Sequence, residues 1–149
     1  MRPDPTTAER ILLVDDEASV REFLSIMLED EGYLVEQAAS GEEGVSKLKK
    51  TEFDLILTDL KMSGVSGMDL LREAKKYRPS TQVIVMTAFG TTETAVEGMK
   101  LGAFDYLLKP ADFEDLKKIL DRARNRKAEQ DERIRRAEVR QLLRKGGNI

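Results

Sequence analysis

The segment FDLILTDLKMSG, residues 53–64, sends an apolar triplet, Leu55-Ile56-Leu57, almost directly into a carboxylate, Asp59. A short apolar run with no polar alternation reads as a strand buried on both faces, the habit of parallel sheets. A second run, Ile11-Leu12-Leu13-Val14, ends in a carboxylate pair, Asp15-Asp16. Ionised side chains at the mouth of buried strands cost free energy unless something compensates for them. What compensates should be the function.

Outward from these two runs the pattern repeats. Further short apolar runs at 33–35, 83–86 and 106–108 alternate with segments of helical period. Val20, Phe23, Leu24, Met27 and Leu28 space as one helix face, ended by Gly32. Ser40-Gly41-Glu42-Glu43 reads as a capping box for a second helix, whose face holds Val45 and Leu48. Ser66 opens a third, with Met68, Leu70, Leu71 and Ala74 on its face, and Pro79 stops it. Thr91 or Thr92 starts a fourth through Ala95, Val96 and Met99 to Gly102. Asp112 opens the last, with Phe113, Leu116, Ile119 and Leu120 inward. Strict alternation of strand and helix predicts an α/β fold, a doubly wound parallel sheet covered on both faces.

Composition narrows the chemistry. The 149 residues suit one domain with an appendage, and 40% hydrophobic content with a mean hydropathy of -0.44 suits a soluble globular protein. Without cysteine there are no disulfides, thiolate metal sites or thiol nucleophiles. Without histidine there is no Ser-His-Asp triad, no imidazole base and no histidine-ligated zinc. Carboxylates, hydroxyls, lysine and arginine remain, and a hard oxygen-bound cation such as Mg2+ is the natural metal. No stretch is apolar enough to span a bilayer, and MRPDPTTAER lacks a signal-peptide core, so a cytoplasmic protein without membrane contact is expected. The net charge of -3 is uneven: residues 121–149 carry ten Lys/Arg against five Asp/Glu, a balance of +5 that leaves -8 for residues 1–120. An acidic domain is joined to a basic extension.

In doubly wound sheets the binding crevice lies beyond the carboxyl ends of the strands. Asp15 and Asp16 follow strand one, Asp59 strand three and Lys109 strand five, while Thr87 ends strand four. Each has a bland reading alone: a helix cap or turn former for the aspartates, sheet propensity for Thr87, a surface turn for Lys109. Together on one edge they are improbable as decoration. Crowded carboxylates repel, a divalent cation relieves that repulsion, and Lys109 neutralises part of the remainder. A cation beside a free carboxylate is what in-line phosphoryl transfer requires, with Asp59 as nucleophile and Thr87 donating to the product. Positioning and charge stabilisation suffice, and no general base is needed.

VDDE at 14–17, LTDLKM at 57–62, MTA at 86–88 and YLLKP at 106–110 resemble the receiver domain of two-component response regulators, over about residues 9–122. The resemblance implies a flavodoxin-like sheet of order 2-1-3-4-5, and phosphorylation of Asp59 by a sensor histidine kinase. It implies Asp15, Asp16 and Asp59 as Mg2+ ligands with the Lys61 carbonyl, Thr87 and Tyr106 as a switch pair, and Lys109 as the phosphate-binding lysine before a cis Lys109-Pro110 bond. Ser63 stands where many receivers have proline, which touches only the local loop. The stretch TAFGTTETAVEGMKLGAFDYLLKP, 87–110, further resembles receivers of NtrC-type transcriptional activators, which continue into ATPase and DNA-binding domains. No GxxxxGK[ST] loop occurs here, so a regulatory fragment or a receiver with only a linker is expected, touching DNA only through an absent output domain.

In the receiver reading Thr87 moves toward the phosphate, Tyr106 turns into the vacated space, and the surface of helix four, strand five and helix five is reshaped. Taken by itself, Tyr106 reads first as a partly buried aromatic on an edge strand. In the receiver reading Phe89 and Lys61 are expected to stand near the path of attacking water. Residues 1–8 are expected to be disordered. The stretch 112–145 lacks Pro and Gly and predicts one extended helix, with 123–149 as linker helix and tail. Leu116, Leu120, Ala123, Lys127, Gln130, Ile134, Ala137 and Gln141 fall on one heptad seam, only partly apolar. A homodimer through that helix, or through the helix four–strand five–helix five face, is the expected assembly; a solvated helix is the alternative.

Three rival functions differ in kind. An aspartate-nucleophile phosphohydrolase of the haloacid-dehalogenase type needs a second acid two residues on, where this chain has Lys61. A nucleotide-binding module needs a Gly-rich loop after strand one, where VDDE stands. A receiver-like interaction module that signals without phosphorylation would not need all five polar residues.

Overall fold

A computed structural model of the chain describes residues 8–146. The expected disorder of residues 1–8 falls, apart from Ala8, outside them, as does the last part of the tail. Five strands alternate with five helices: β1 (Arg10–Val14), α1 (Ala18–Asp30), β2 (Leu34–Ala38), α2 (Gly41–Lys50), β3 (Leu55–Thr58), α3 (Gly67–Tyr77), β4 (Gln82–Thr87), α4 (Thr92–Lys100), β5 (Asp105–Leu108) and α5 (Phe113–Gly146). All strand pairs are parallel, in the order β2-β1-β3-β4-β5. This is the doubly wound parallel sheet that the alternation predicts, in the flavodoxin-like order that the family resemblance implies.

Strand periodicity divides the core in two. Leu12, Val14, Ile56, Val83 and Val85 point to one face, where Leu48 of α2 and Leu70, Leu71 and Ala74 of α3 cover them. Ile11, Leu13, Leu55, Leu57 and Ile84 point to the other, under Leu24 and Leu28 of α1 and Leu116, Ile119 and Leu120 of α5. Both faces are apolar, which is why the central strands read as unbroken hydrophobic runs. Each fully buried side chain of this size contributes about 2 kcal/mol.

Helix starts follow local chemistry. Ser66 and Asp69 form a complete capping box at α3. Thr91 is the residue that caps α4, with Thr94 closing the box. At α2 the Ser40 hydroxyl accepts from Glu43 N, but the Glu43 carboxylate reaches back to Ala39 N at 3.0 Å, so that box is only half the expected one. The face expected to be buried on α1 proves narrower: Leu24 and Leu28 are inside, whereas Phe23 is 62% exposed. Helical period locates a stripe but not the width of sheet available to cover it.

α5 runs 34 residues as one helix. Leu116, Leu120 and Ala123, which the heptad pattern places on a seam between helices, are buried against this chain's own sheet. Among the described residues no helix is long and apolar enough to cross a membrane.

Candidate functional site

The carboxyl ends of β1 and β3 hold two aspartates to the sheet by backbone bonds. Asp59 N donates to the Val14 carbonyl at 3.0 Å, and Asp15 N donates to the Ala38 carbonyl at 3.2 Å. One carboxylate oxygen from each of Asp15, Asp16 and Asp59 lies within 4.8 Å of the others. Asp15 and Asp59 are 2% and 6% exposed, whereas Asp16 is open to solvent. Neighbouring amides help carry the buried charge: Asp15 Oδ1 accepts from Glu17 N at 2.9 Å, and Asp59 Oδ1 accepts from Leu60 N at 2.7 Å and Lys61 N at 3.3 Å.

Lys109, just beyond β5, supplies the opposing charge. Its Nζ donates to Asp15 Oδ2 at 2.8 Å and to Asp59 Oδ2 at 3.2 Å. Its own backbone N–H is tied to the Thr87 carbonyl at 2.9 Å, and the following bond to Pro110 is cis. Burial alone would lower the ammonium pKa, but Asp15 and then Asp59 outweigh it and hold the group above its ordinary value. Three carboxylates around one ammonium still leave the rim negative. All the available ligands are hard oxygens, a donor set that fits Mg2+ and not a thiophilic metal.

Thr87 is fully buried at the end of β4, its hydroxyl accepting from Phe89 N at 3.1 Å. Tyr106 lies half-buried on the edge strand β5, and its hydroxyl shares a 2.8 Å hydrogen bond with Thr94 Oγ1. The ring passes so close to Gly90 that a Cβ there would sit 2.6 Å from the tyrosine oxygen, which explains glycine at that position. Beside the rim, Lys61 Nζ stands 5.2 Å from the centre of the Phe89 ring, itself 60% exposed.

The structure therefore brings Asp15, Asp16, Asp59 and Lys109 into one cluster, with Thr87 on the adjoining strand end and Lys61 and Phe89 paired alongside. Tyr106 stands apart, engaged with α4. Sequence reasoning missed Thr94 as the partner of Tyr106. Its only signal is the Thr-x-x-Thr spacing at 91–94, which announces a helix cap and says nothing of a strand 12 residues away. It also missed Arg21, whose Nη1 donates to the Asp15 carbonyl at 2.6 Å from the first turns of α1.

Comparison with known proteins agrees with this geometry. The response regulator receiver domain family matches residues 11–121. The transcriptional regulatory protein ZraR of Salmonella typhimurium is 42% identical over 113 residues, which span 76% of this chain and 26% of that protein. The regulatory protein AtoC of Escherichia coli is 38% identical over 118 residues, 79% of this chain and 26% of its own length. Both are regulators of the NtrC type that residues 87–110 resemble. The chain thus spans about a quarter of the length of these relatives. A response regulator receiver domain protein from Clostridium thermocellum superposes with a TM-score of 0.76 at 39% identity, covering 80% of this chain and 97% of that one. The chain belongs to the response regulator receiver domain family.

Proposed function

We propose that this receiver accepts a phosphoryl group on Asp59 from a sensor histidine kinase in the cytoplasm, and that the modification alters the surface made by α4, β5 and α5. The observation that carries the reading is the cluster itself: two buried carboxylates within bonding distance of one lysine, with a third, exposed carboxylate beside them at the same rim. Decoration would not survive the desolvation that Asp15 and Asp59 undergo.

In this reading Asp15, Asp16, Asp59 and the Lys61 carbonyl hold Mg2+. When bound, the cation supplies positive charge opposite the oxygens of the transferring phosphoryl group. An Asp59 oxygen forms a bond to phosphorus as the bond from phosphorus to the donor breaks, and the donor leaves with that electron pair. Lys109 is already poised between Asp15 and Asp59 and exchanges carboxylate contacts for phosphoryl oxygen. The Thr87 hydroxyl, which accepts from the Phe89 amide, has its O–H available to donate to the product. Tyr106 must then part from Thr94 if it is to follow, which ties the inward turn of the ring to the N-terminal cap of α4. The same surface exposes Val96, Met99 and Leu108 at 48%, 47% and 58%, apolar area suited to a partner or a second copy. Output on DNA belongs to an output domain of the kind the related regulators carry.

Intact-mass measurement after incubation with acetyl phosphate and Mg2+ tests the reading: one phosphoryl adduct on the natural chain and none on Asp59→Asn. A natural chain that stays unmodified, or an Asp59→Asn variant that is modified as readily, would sink it. Phe89→Ala is expected to shorten the life of the adduct several-fold, since the Lys61–Phe89 pair shields the approach of water. An unchanged decay rate would remove that role.

A further inference from the structure

At the opposite edge of the sheet α5 makes a second set of polar contacts that phosphoryl chemistry does not use. The Lys127 side chain is only 7% exposed. Its Nζ pairs with Asp131 at 2.5 Å, one turn on in α5, with Glu52 at 3.3 Å and with Asp54 at 3.6 Å. Asp131 also accepts from Ser80 Oγ at 2.7 Å, and Gln130 accepts from Gln82 Nε2 at 2.9 Å. Glu52 and Asp54 precede β3, Ser80 precedes β4, and Gln82 is the first residue of β4. These are the two strands whose far ends lead to Asp59 and Thr87.

The position of this cluster along α5 matters. Apolar burial on the helix ends at Ala123, and from Arg133 to Gly146 every residue is exposed. Between these limits the helix is held by directional charge-assisted bonds, which fix register in a way that sliding apolar contacts do not. A lysine this deeply buried is tolerated only with partners, which Asp131, Asp54 and the more exposed Glu52 supply.

We propose that the N-terminal edge of β3 and β4 is a docking surface for residues 123–131 of this chain's own linker helix, and that Lys127 and Asp131 are the clamp. The pivot from which the linker departs then lies at Asp131–Glu132, two turns beyond the last apolar contact. A second copy of the helix can pair only from Ile134 onward, because the first half of the heptad seam is already occupied. The receiver hands on its signal through a rod referenced to the same two strands that carry its reactive carboxylate and its switch hydroxyl. The clamp does not require phosphorylation, so its test is independent of the adduct measurement above.

Hydrogen exchange on the whole unphosphorylated chain decides it. Amide protection is expected to continue through residue 131 and to fall from residue 133. Lys127→Met, which keeps the apolar stem, should speed exchange at 124–131 about tenfold or more while strand amides stay protected. Lys127→Arg should retain most of the protection. Protection that ends at Ala123 in the natural chain, or that Lys127→Met leaves unchanged, overturns the proposal. If Lys127→Met unfolds the sheet as well, Asp131→Asn takes its place: a smaller loss confined to 124–131 supports the clamp, and no loss there overturns it.

Discussion

Lys109→Ala is expected to abolish nearly all phosphoryl transfer and to weaken the metal-free fold by about 3 kcal/mol, the order seen when one member of a buried ion pair is deleted. The cause is geometric. Lys109 Nζ lies 2.8 Å from Asp15 and 3.2 Å from Asp59, and its own side chain is only 18% exposed. Removing it leaves two carboxylates buried at 2% and 6% exposure with no ammonium between them. Mg2+ should restore much of the lost stability, because a cation among the three aspartates compensates the same charge. It should not restore the transfer rate, because a phosphoryl oxygen would still lack its lysine. Urea unfolding with and without Mg2+, set beside adduct formation on the same variant, separates the two effects. A variant as stable as the parent without metal would show that the carboxylates do not depend on Lys109.

Gly67→Ala is the second large effect, expected at about 3 kcal/mol of stability with a slower reaction at Asp59. A Cβ at this first residue of α3 would lie 2.2 Å from the Asp59 carbonyl oxygen and 2.9 Å from Leu60 Cα. Both are backbone atoms, so no flexible side chain can yield. The strain falls on the loop whose Leu60 and Lys61 amides hold Asp59 Oδ1. Gly44→Ala is the control: its Cβ would meet only methyl groups of Val14 and Leu70, at 3.2 to 3.4 Å, and the loss should be smaller. Equal midpoints for the two variants in urea would contradict the assignment of Gly67 to the support of Asp59.

Much of this could be read from the residues. Buried strands announce themselves as apolar runs, and because all five run the same way, residues at their carboxyl ends must share a rim. The convergence of Asp15, Asp16, Asp59 and Lys109 follows from topology alone, before any side chain is placed. What stayed illegible depends on distances that sequence period does not encode. Phe23 repeats in phase with Leu24 and Leu28, yet it stays 62% exposed while they are buried. Lys127 reads as a polar member of a heptad seam, yet it is buried against this chain's own domain beside Glu52, Asp54 and Asp131, two of them more than 70 residues away. The tyrosine–threonine bond from β5 to α4 is likewise a tertiary fact behind a helix-cap motif.

The most direct measurement tracks the rate of phosphoryl adduct formation against Mg2+ concentration, with peptide mapping of the modified residue, in the natural chain and in Asp16→Asn. A rim that gathers three carboxylates round one ion predicts a rate that saturates with Mg2+, an adduct confined to the peptide containing Asp59, and saturation displaced to higher Mg2+ in the variant. A rate indifferent to the metal, or an adduct on another peptide, would contradict it.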